Sequence, residues 1–149
     1  MVSISLADPA VQSYIVYSAV LAMKMFAITF LTTKVRVSKK VFANAEDAKA
    51  NNGTVKFDDP DVERVRRAHL NDLENIPAFW VLGALYLTTG PSAFLATTLF
   101  RLFAAGRIIH TIFYAVTSIP RVRGFGFASS FLVNVYMGLQ VILFYLTSL

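Results

Sequence analysis

Residues 61–89 read DVERVRRAHLNDLENIPAFWVLGALYLTT, and this stretch decides the fold. Its first half, residues 61–75, is dense in charge, with Glu63, Arg64, Arg66, Arg67, His69, Asp72 and Glu74. Its second half, residues 76–89, is apolar. Asp59-Pro60 ahead of it supplies a helix N-cap and a proline at the first helical position. At 1.5 Å per residue the helix is about 43 Å long. The apolar half alone is too short for a bilayer, which takes about 20 apolar residues. The charged half therefore lies partly at membrane depth or extends beyond it. Pro77, at the junction, removes one helical hydrogen bond and is expected to kink the helix.

The neighbouring segments support a membrane setting. Residues 11–33 are apolar apart from Gln12, Lys24 and a few hydroxyl side chains, and Asp8-Pro9 marks their start. Gly90-Pro91 makes a tight turn into a third apolar stretch, residues 92–118, which carries Arg101, Arg107 and His110. A short basic loop at 119–125 leads to residues 126–149, which have no charge at all. The expectation is a single all-α domain over 1–149 with four spans, about 11–33, 61–89, 92–118 and 126–149, and a polar loop at 34–60. Only 15% of the 149 residues are charged and 56% are hydrophobic, with mean hydropathy +0.57. A soluble domain is about 25% charged, so neither an ordinary soluble globule nor a disordered chain fits. The absence of cysteine excludes a disulfide framework, a cysteine-ligated zinc and a cysteine nucleophile.

The net charge of +5 does not point to nucleic acid, because the basic residues flank apolar segments. Lys34, Arg36, Lys39, Lys40, Lys49 and Lys56 lie in the first loop, and Arg121 and Arg123 in the third. The N-terminus, the Gly90-Pro91 turn and the C-terminus have no Lys or Arg. The positive-inside rule then places loops 1 and 3 in the cytosol and both termini on the other side. Four spans satisfy that pattern; three or five do not. A secretory signal is not expected, since the first ten residues carry no Lys or Arg.

Ionisable residues within spans cost roughly 2.5–3.5 kcal/mol each at mid-membrane, so they pair, face the bundle interior or do work. Arg64, Arg67, Asn71 and Glu74 share one helical face. Guanidinium forks, an amide and a carboxylate on one stripe suit a small zwitterion with carboxylates and an ammonium group. An intrahelical salt-bridge ladder explains the same spacing equally well. Arg66 and His69 form a second stripe, available to a neighbouring subunit. Arg107, His110 and Tyr114 share a face of the third span, where Arg107 is read either as a site residue or as an ion-pair partner of Glu74 or Asp72. Arg101 points elsewhere and reads as pairing or snorkelling. Arg123 alone reads as a topogenic charge, and Lys24 as either a partner of another helix or a site residue. No zinc spacing, GxSxG, GxGxxG or Walker loop is present, so no metal is expected.

Two blocks make the chain recognisable. Residues 39–47, KKVFANAED, are similar to a loop signature KxFANPED, and residues 61–75 match a charged span-2 signature almost residue for residue. Phe100-Arg101-Leu102-Phe103 and residues 107–112 continue the match, which covers about 24–127. The chain resembles the MAPEG family, the membrane-associated proteins of eicosanoid and glutathione metabolism, and most of all its glutathione transferase branch. The resemblance implies a four-helix membrane subunit in a homotrimer, with glutathione bound between subunits near the cytosolic side. Arg36, Arg66, Arg67, His69, Asn71, Glu74 and Tyr114 match the family's glutathione contacts, with His110 in the same pocket region. Arg123 matches the arginine beside the glutathione sulfur, where a guanidinium favours the nucleophilic thiolate.

The function so implied is conjugation of the glutathione thiolate to a lipophilic electrophile arriving from membrane lipid, with peroxidase action on lipid hydroperoxides. The expected location is the endoplasmic reticulum, or the mitochondrial outer membrane, with the site facing the cytosol. Glutathione-dependent isomerisation of a prostaglandin endoperoxide is the alternative within the family, and a non-catalytic lipid-binding scaffold the alternative outside catalysis. The sequence departs from the family pattern in several places. Ala45 replaces the loop proline, Pro77 lies one residue early, and Ala48 stands where the transferases carry a cysteine tied to activation by thiol reagents. The isomerases have a serine where this chain has Gly124, a polar pair at Phe127 and Ala128, and an arginine at Leu70. These last differences favour the transferase.

Overall fold

The computed structural model describes residues 5–117 and 119–147. Its elements are α1 (Pro9–Lys39), β1 (Val41–Phe42), α2 (Ala45–Ala50), β2 (Thr54–Val55), α3 (Pro60–Leu87), α4 (Ala93–Thr111), a π-helical turn (Ile112–Val116) and α5 (Pro120–Leu146). The long helices start where the capping chemistry says they should. The Asp8 carboxylate accepts from the Ala10 N–H at 2.8 Å, and the Ser92 hydroxyl from Leu95 N–H at 3.3 Å. Asp59 accepts from the N–H groups of Asp61 and Val62, with Pro60 at the first helical position.

Among the described residues, three helices are long and apolar enough to cross a membrane: Pro9–Lys39, Ala93–Val116 and Pro120–Leu146. The 28-residue α3 matches them in length, but its charged first half sets it apart in composition. It continues through Pro77 without a break. α1 packs on α3 and α4, and α5 packs on the same two from the other side.

The pattern of burial is inverted relative to a soluble protein. Exposed positions include Phe26, Phe30, Phe94, Leu132 and Leu146, whereas Asp72, Arg107 and Ser130 are fully buried. Hydrocarbon tolerates the first set, and the second finds its partners only inside the bundle. An aromatic cluster fills the core, with Phe79 stacked on Phe103 at 4.2 Å between centroids and Phe100 edge-on to Phe79 at 5.7 Å. At the α4–α5 crossing, a Cβ on Gly126 would sit 2.8 Å from the Gly106 carbonyl and 2.9 Å from the His110 nitrogen, so only glycine permits that approach.

The all-α expectation holds for every long element, and two boundaries differ from it. The polar loop adds a small crossover at residues 41–55, in which β1 pairs in parallel with β2, Val41 opposite Thr54 and Phe42 opposite Val55, with α2 between them. Lys40, in the left-handed region at φ 54°, ends α1 and opens this crossover. α1 itself runs on to Lys39, because Arg36 and Lys39 complement its C-terminal dipole. Finally, the stretch expected as a basic loop begins α5, since Pro120 occupies the first helical position and places Arg121 and Arg123 on the first turns. The expected outer ends of the third and fourth spans, Ser118 and residues 148–149, lie outside the described residues.

Lys39 ties the end of α1 to the start of α3 through Asp61 and, at 3.6 Å, Asp59. The hydrogen bond to Asp61 raises the Lys39 ammonium above its ordinary value. The bridge needs both ions, so it is lost as pH rises through the elevated lysine value and also when acid protonates Asp61.

Candidate ligand-binding site

The ends of α1 and α4, the starts of α3 and α5, and the β1–α2–β2 crossover gather at one end of the helices. The polar side chains there form two connected groups. The inner one centres on Asp72. Its Oδ1 accepts from Arg107 through Nη2 at 2.5 Å and Nε at 3.2 Å. Its Oδ2 takes Lys24 of α1 and the Thr111 hydroxyl at 3.3 Å. Arg107 Nη2 also donates to Asn71 Oδ1 at 2.9 Å. One carboxylate thus ties α1, α3 and α4 together, with one positive charge in excess. The sequence offered two partners for Arg107, and the structure chooses Asp72. The pairing of Lys24 with Asp72 was invisible in the sequence, because the two are 48 residues apart.

The outer group surrounds Tyr114, which the π-helical turn carries. Arg67 Nε donates to the Tyr114 hydroxyl at 3.3 Å. The Arg123 guanidinium carbon lies 4.3 Å above the centre of the Tyr114 ring, a cation–π contact. The His110 ring lies 5.4 Å from that of Tyr114 and 6.4 Å from Phe127. Neither Arg67 nor Arg123 has a carboxylate partner among the described residues. Two guanidinium groups thus flank one phenol with no carboxylate paired to either among the described residues.

The remaining expected site residues stand apart from this group within one chain. Within the single chain Arg66 pairs with Glu63 at 2.5 Å and Arg64 with Asp61 at 2.7 Å, each three residues back on α3. Arg36 reaches the Val41 carbonyl at 3.5 Å. His69 is half-buried on α3, two residues before Asn71 and three before Asp72, but outside their hydrogen-bonded cluster. Glu74 is exposed and borders a groove between α3 and α5 lined by Asn75, Phe131 and Asn134. Arg101, also exposed, lies at the other end of the helices beside Pro9, Gln12 and Thr97.

The architecture defines a helical integral membrane protein with a cluster of polar and basic side chains at one end. The chain belongs to the MAPEG family, whose sequence profile matches residues 14–143. It is similar to prostaglandin E synthase of Macaca fascicularis, 37% identical over 141 residues that cover 94% of this chain and 93% of that one. The Homo sapiens prostaglandin E synthase matches to the same extent. Microsomal glutathione S-transferase 1 of Homo sapiens is 42% identical over 119 residues, 76% of each chain.

Proposed function

We propose that this protein is a membrane-bound glutathione transferase of the microsomal glutathione S-transferase 1 kind, which joins the glutathione thiolate to lipophilic electrophiles and reduces lipid hydroperoxides with the same thiolate. The observation that carries the reading is the pair of carboxylate-free guanidinium groups, Arg67 and Arg123, on either side of Tyr114. Glutathione brings carboxylates, an ammonium group and a thiol. Arg67, with Arg36 and Arg66, binds its carboxylates; Glu74 binds its ammonium; Asn71, His69, Tyr114 and His110 complete the pocket. Arg123 sits beside the sulfur and stabilises the thiolate, which is the nucleophile. The thiol proton leaves to solvent. The thiolate then forms a C–S bond and expels the leaving group, or adds to an activated double bond. With a hydroperoxide it takes the distal oxygen and releases the alcohol, and a second glutathione converts the resulting sulfenic acid to glutathione disulfide and water. The electrophile arrives from the apolar surroundings of the helices.

The same reading treats α3 as a fourth span and sets both termini on the non-cytosolic side. Three copies form the working unit, with each pocket shared between neighbours and open to the cytosol. Glu74 supports this: an exposed carboxylate on a spanning helix needs a neighbouring copy and a ligand to cover it. The endoplasmic reticulum or the mitochondrial outer membrane is the proposed location.

Purified protein is expected to conjugate glutathione to a chlorodinitroaromatic above the uncatalysed rate. No conjugation by protein that binds glutathione would remove the transferase reading. Prostaglandin endoperoxide isomerisation is the second reading, favoured by the prostaglandin E synthases that match across 94% of the chain. Gly124 and Leu70 argue against it, and a product assay with the endoperoxide separates the two. A thiol-alkylating reagent is expected to leave the transferase rate unchanged, because the chain has no cysteine and buried Ala48 fills that position. Activation by the reagent would show that something other than a protein thiol controls the rate.

A further inference from the structure

Asn71 stands at the edge of the buried cluster, and the chemistry of its hydrogen bond from Arg107 has one direction only. A guanidinium donates and cannot accept. The Asn71 atom 2.9 Å from Arg107 Nη2 is therefore the amide oxygen, and the amide NH2 must point the other way. Asn71 is half-buried, and its Nδ2 is neither hydrogen-bonded nor enclosed among the described residues. Arg107 cannot swing to release the amide. Its side chain is fully buried, and two hydrogen bonds hold it to Asp72, itself held by Lys24 and Thr111.

We propose that Arg107 is a positioning residue for ligand recognition, locking the Asn71 amide so that only its NH2 faces the ligand. Asn71 lies one turn beyond Arg67 and one turn before Glu74. So oriented, it takes an acceptor of the ligand, a carboxylate or peptide carbonyl oxygen, and never its ammonium group. That leaves the ammonium to Glu74 alone and sets the ligand's direction along α3. The inference rests on the glutathione reading given above.

The test is glutathione binding and turnover by full-length protein in detergent. Asn71→Asp still offers Arg107 an acceptor oxygen, and its charge balances the excess positive charge around Asp72. Its Tm is expected to equal or exceed that of the wild type. Its outward atom becomes an acceptor, so glutathione affinity is expected to fall about tenfold to a hundredfold, the range for a lost hydrogen bond to a charged group. Arg107→Gln leaves the Lys24–Asp72 pair balanced but lets the amide turn over. It is expected to raise KM for glutathione severalfold with kcat held within about twofold, a split that a purely structural role would not produce. Wild-type affinity in Asn71→Asp, a Tm well below the wild type in that variant, or an unchanged KM in folded Arg107→Gln would each overturn the inference while leaving the functional reading intact. Failure of the wild-type protein to bind glutathione would overturn that reading and this inference with it.

Discussion

Asp72→Leu is expected to prevent the protein from accumulating as a folded species. The side chain of Asp72 is fully buried, as is that of Arg107, and Lys24 is only 11% exposed. Leucine is bulkier than aspartate, so overpacking alone predicts a moderate cost of about 1–3 kcal/mol. The charges predict a severe one, because two cations would share one dry pocket with no anion. Removing one partner of a buried pair costs about 3–5 kcal/mol, against a total stability of about 5–15 kcal/mol. Lys24→Met provides the contrast. It leaves Arg107 and Asp72 as a neutral pair and removes the excess positive charge, so it is expected to cost far less or to stabilise. The yield of folded protein in detergent, with the Tm of what folds, reads the difference. Equal yields and Tm values in the two variants would show that the charge count around Asp72 does not govern stability.

Arg123→Ala is expected to have the largest effect on activity. The Arg123 side chain is half-buried, and its contact is with the face of the Tyr114 ring. Removing it breaks no hydrogen bond among the described residues, so folding and Tm should hold. The thiolate would lose the positive charge beside it, and the conjugation rate is expected to fall about 10²–10³-fold, as when one preorganised donor is removed from a developing anion. Arg123→Lys should restore part of the rate, since a point charge replaces some of the fork's effect. A stable Arg123→Ala protein with wild-type conjugation would place the thiolate elsewhere.

The helices were legible in the sequence where a cap, a proline and an apolar run coincide. Asp8-Pro9, Asp59-Pro60 and Ser92 mark three of the four long starts. The fourth was missed because Arg121 and Arg123 read as loop charges, although Pro120 carried the same signal as Pro9 and Pro60. The crossover at 41–55 was illegible for a different reason. Two-residue strands carry no periodicity, and their parallel pairing depends on Gly53, where a Cβ would lie 2.5 Å from the Lys40 carbonyl. The π-helical turn that carries Tyr114 follows from packing at the end of α4, and local propensity gives no sign of it.

The candidate site divides in the same way. Arg107, His110 and Tyr114 were placed on one face by spacing, and the structure brings His110 and Tyr114 together. Spacing could not show that Arg107 turns inward to Asp72, or that Lys24 completes the pair, because those contacts join three helices. Asp72 was read only as one possible partner, yet the inner cluster is built around it. The approach of Arg123 to Tyr114 likewise depends on the glycine crossing of α4 and α5.

The central claim is that Arg123, beside Tyr114 and Arg67, holds glutathione as a thiolate. Ultraviolet difference absorbance of purified protein titrated with glutathione near neutral pH measures this directly. A free thiol of pKa about 8.5 is mostly protonated there. The account predicts a thiolate signal that saturates with binding in the wild type and vanishes in Arg123→Ala. A wild-type protein that binds glutathione with no thiolate signal, or an Arg123→Ala protein with the full signal, would contradict it.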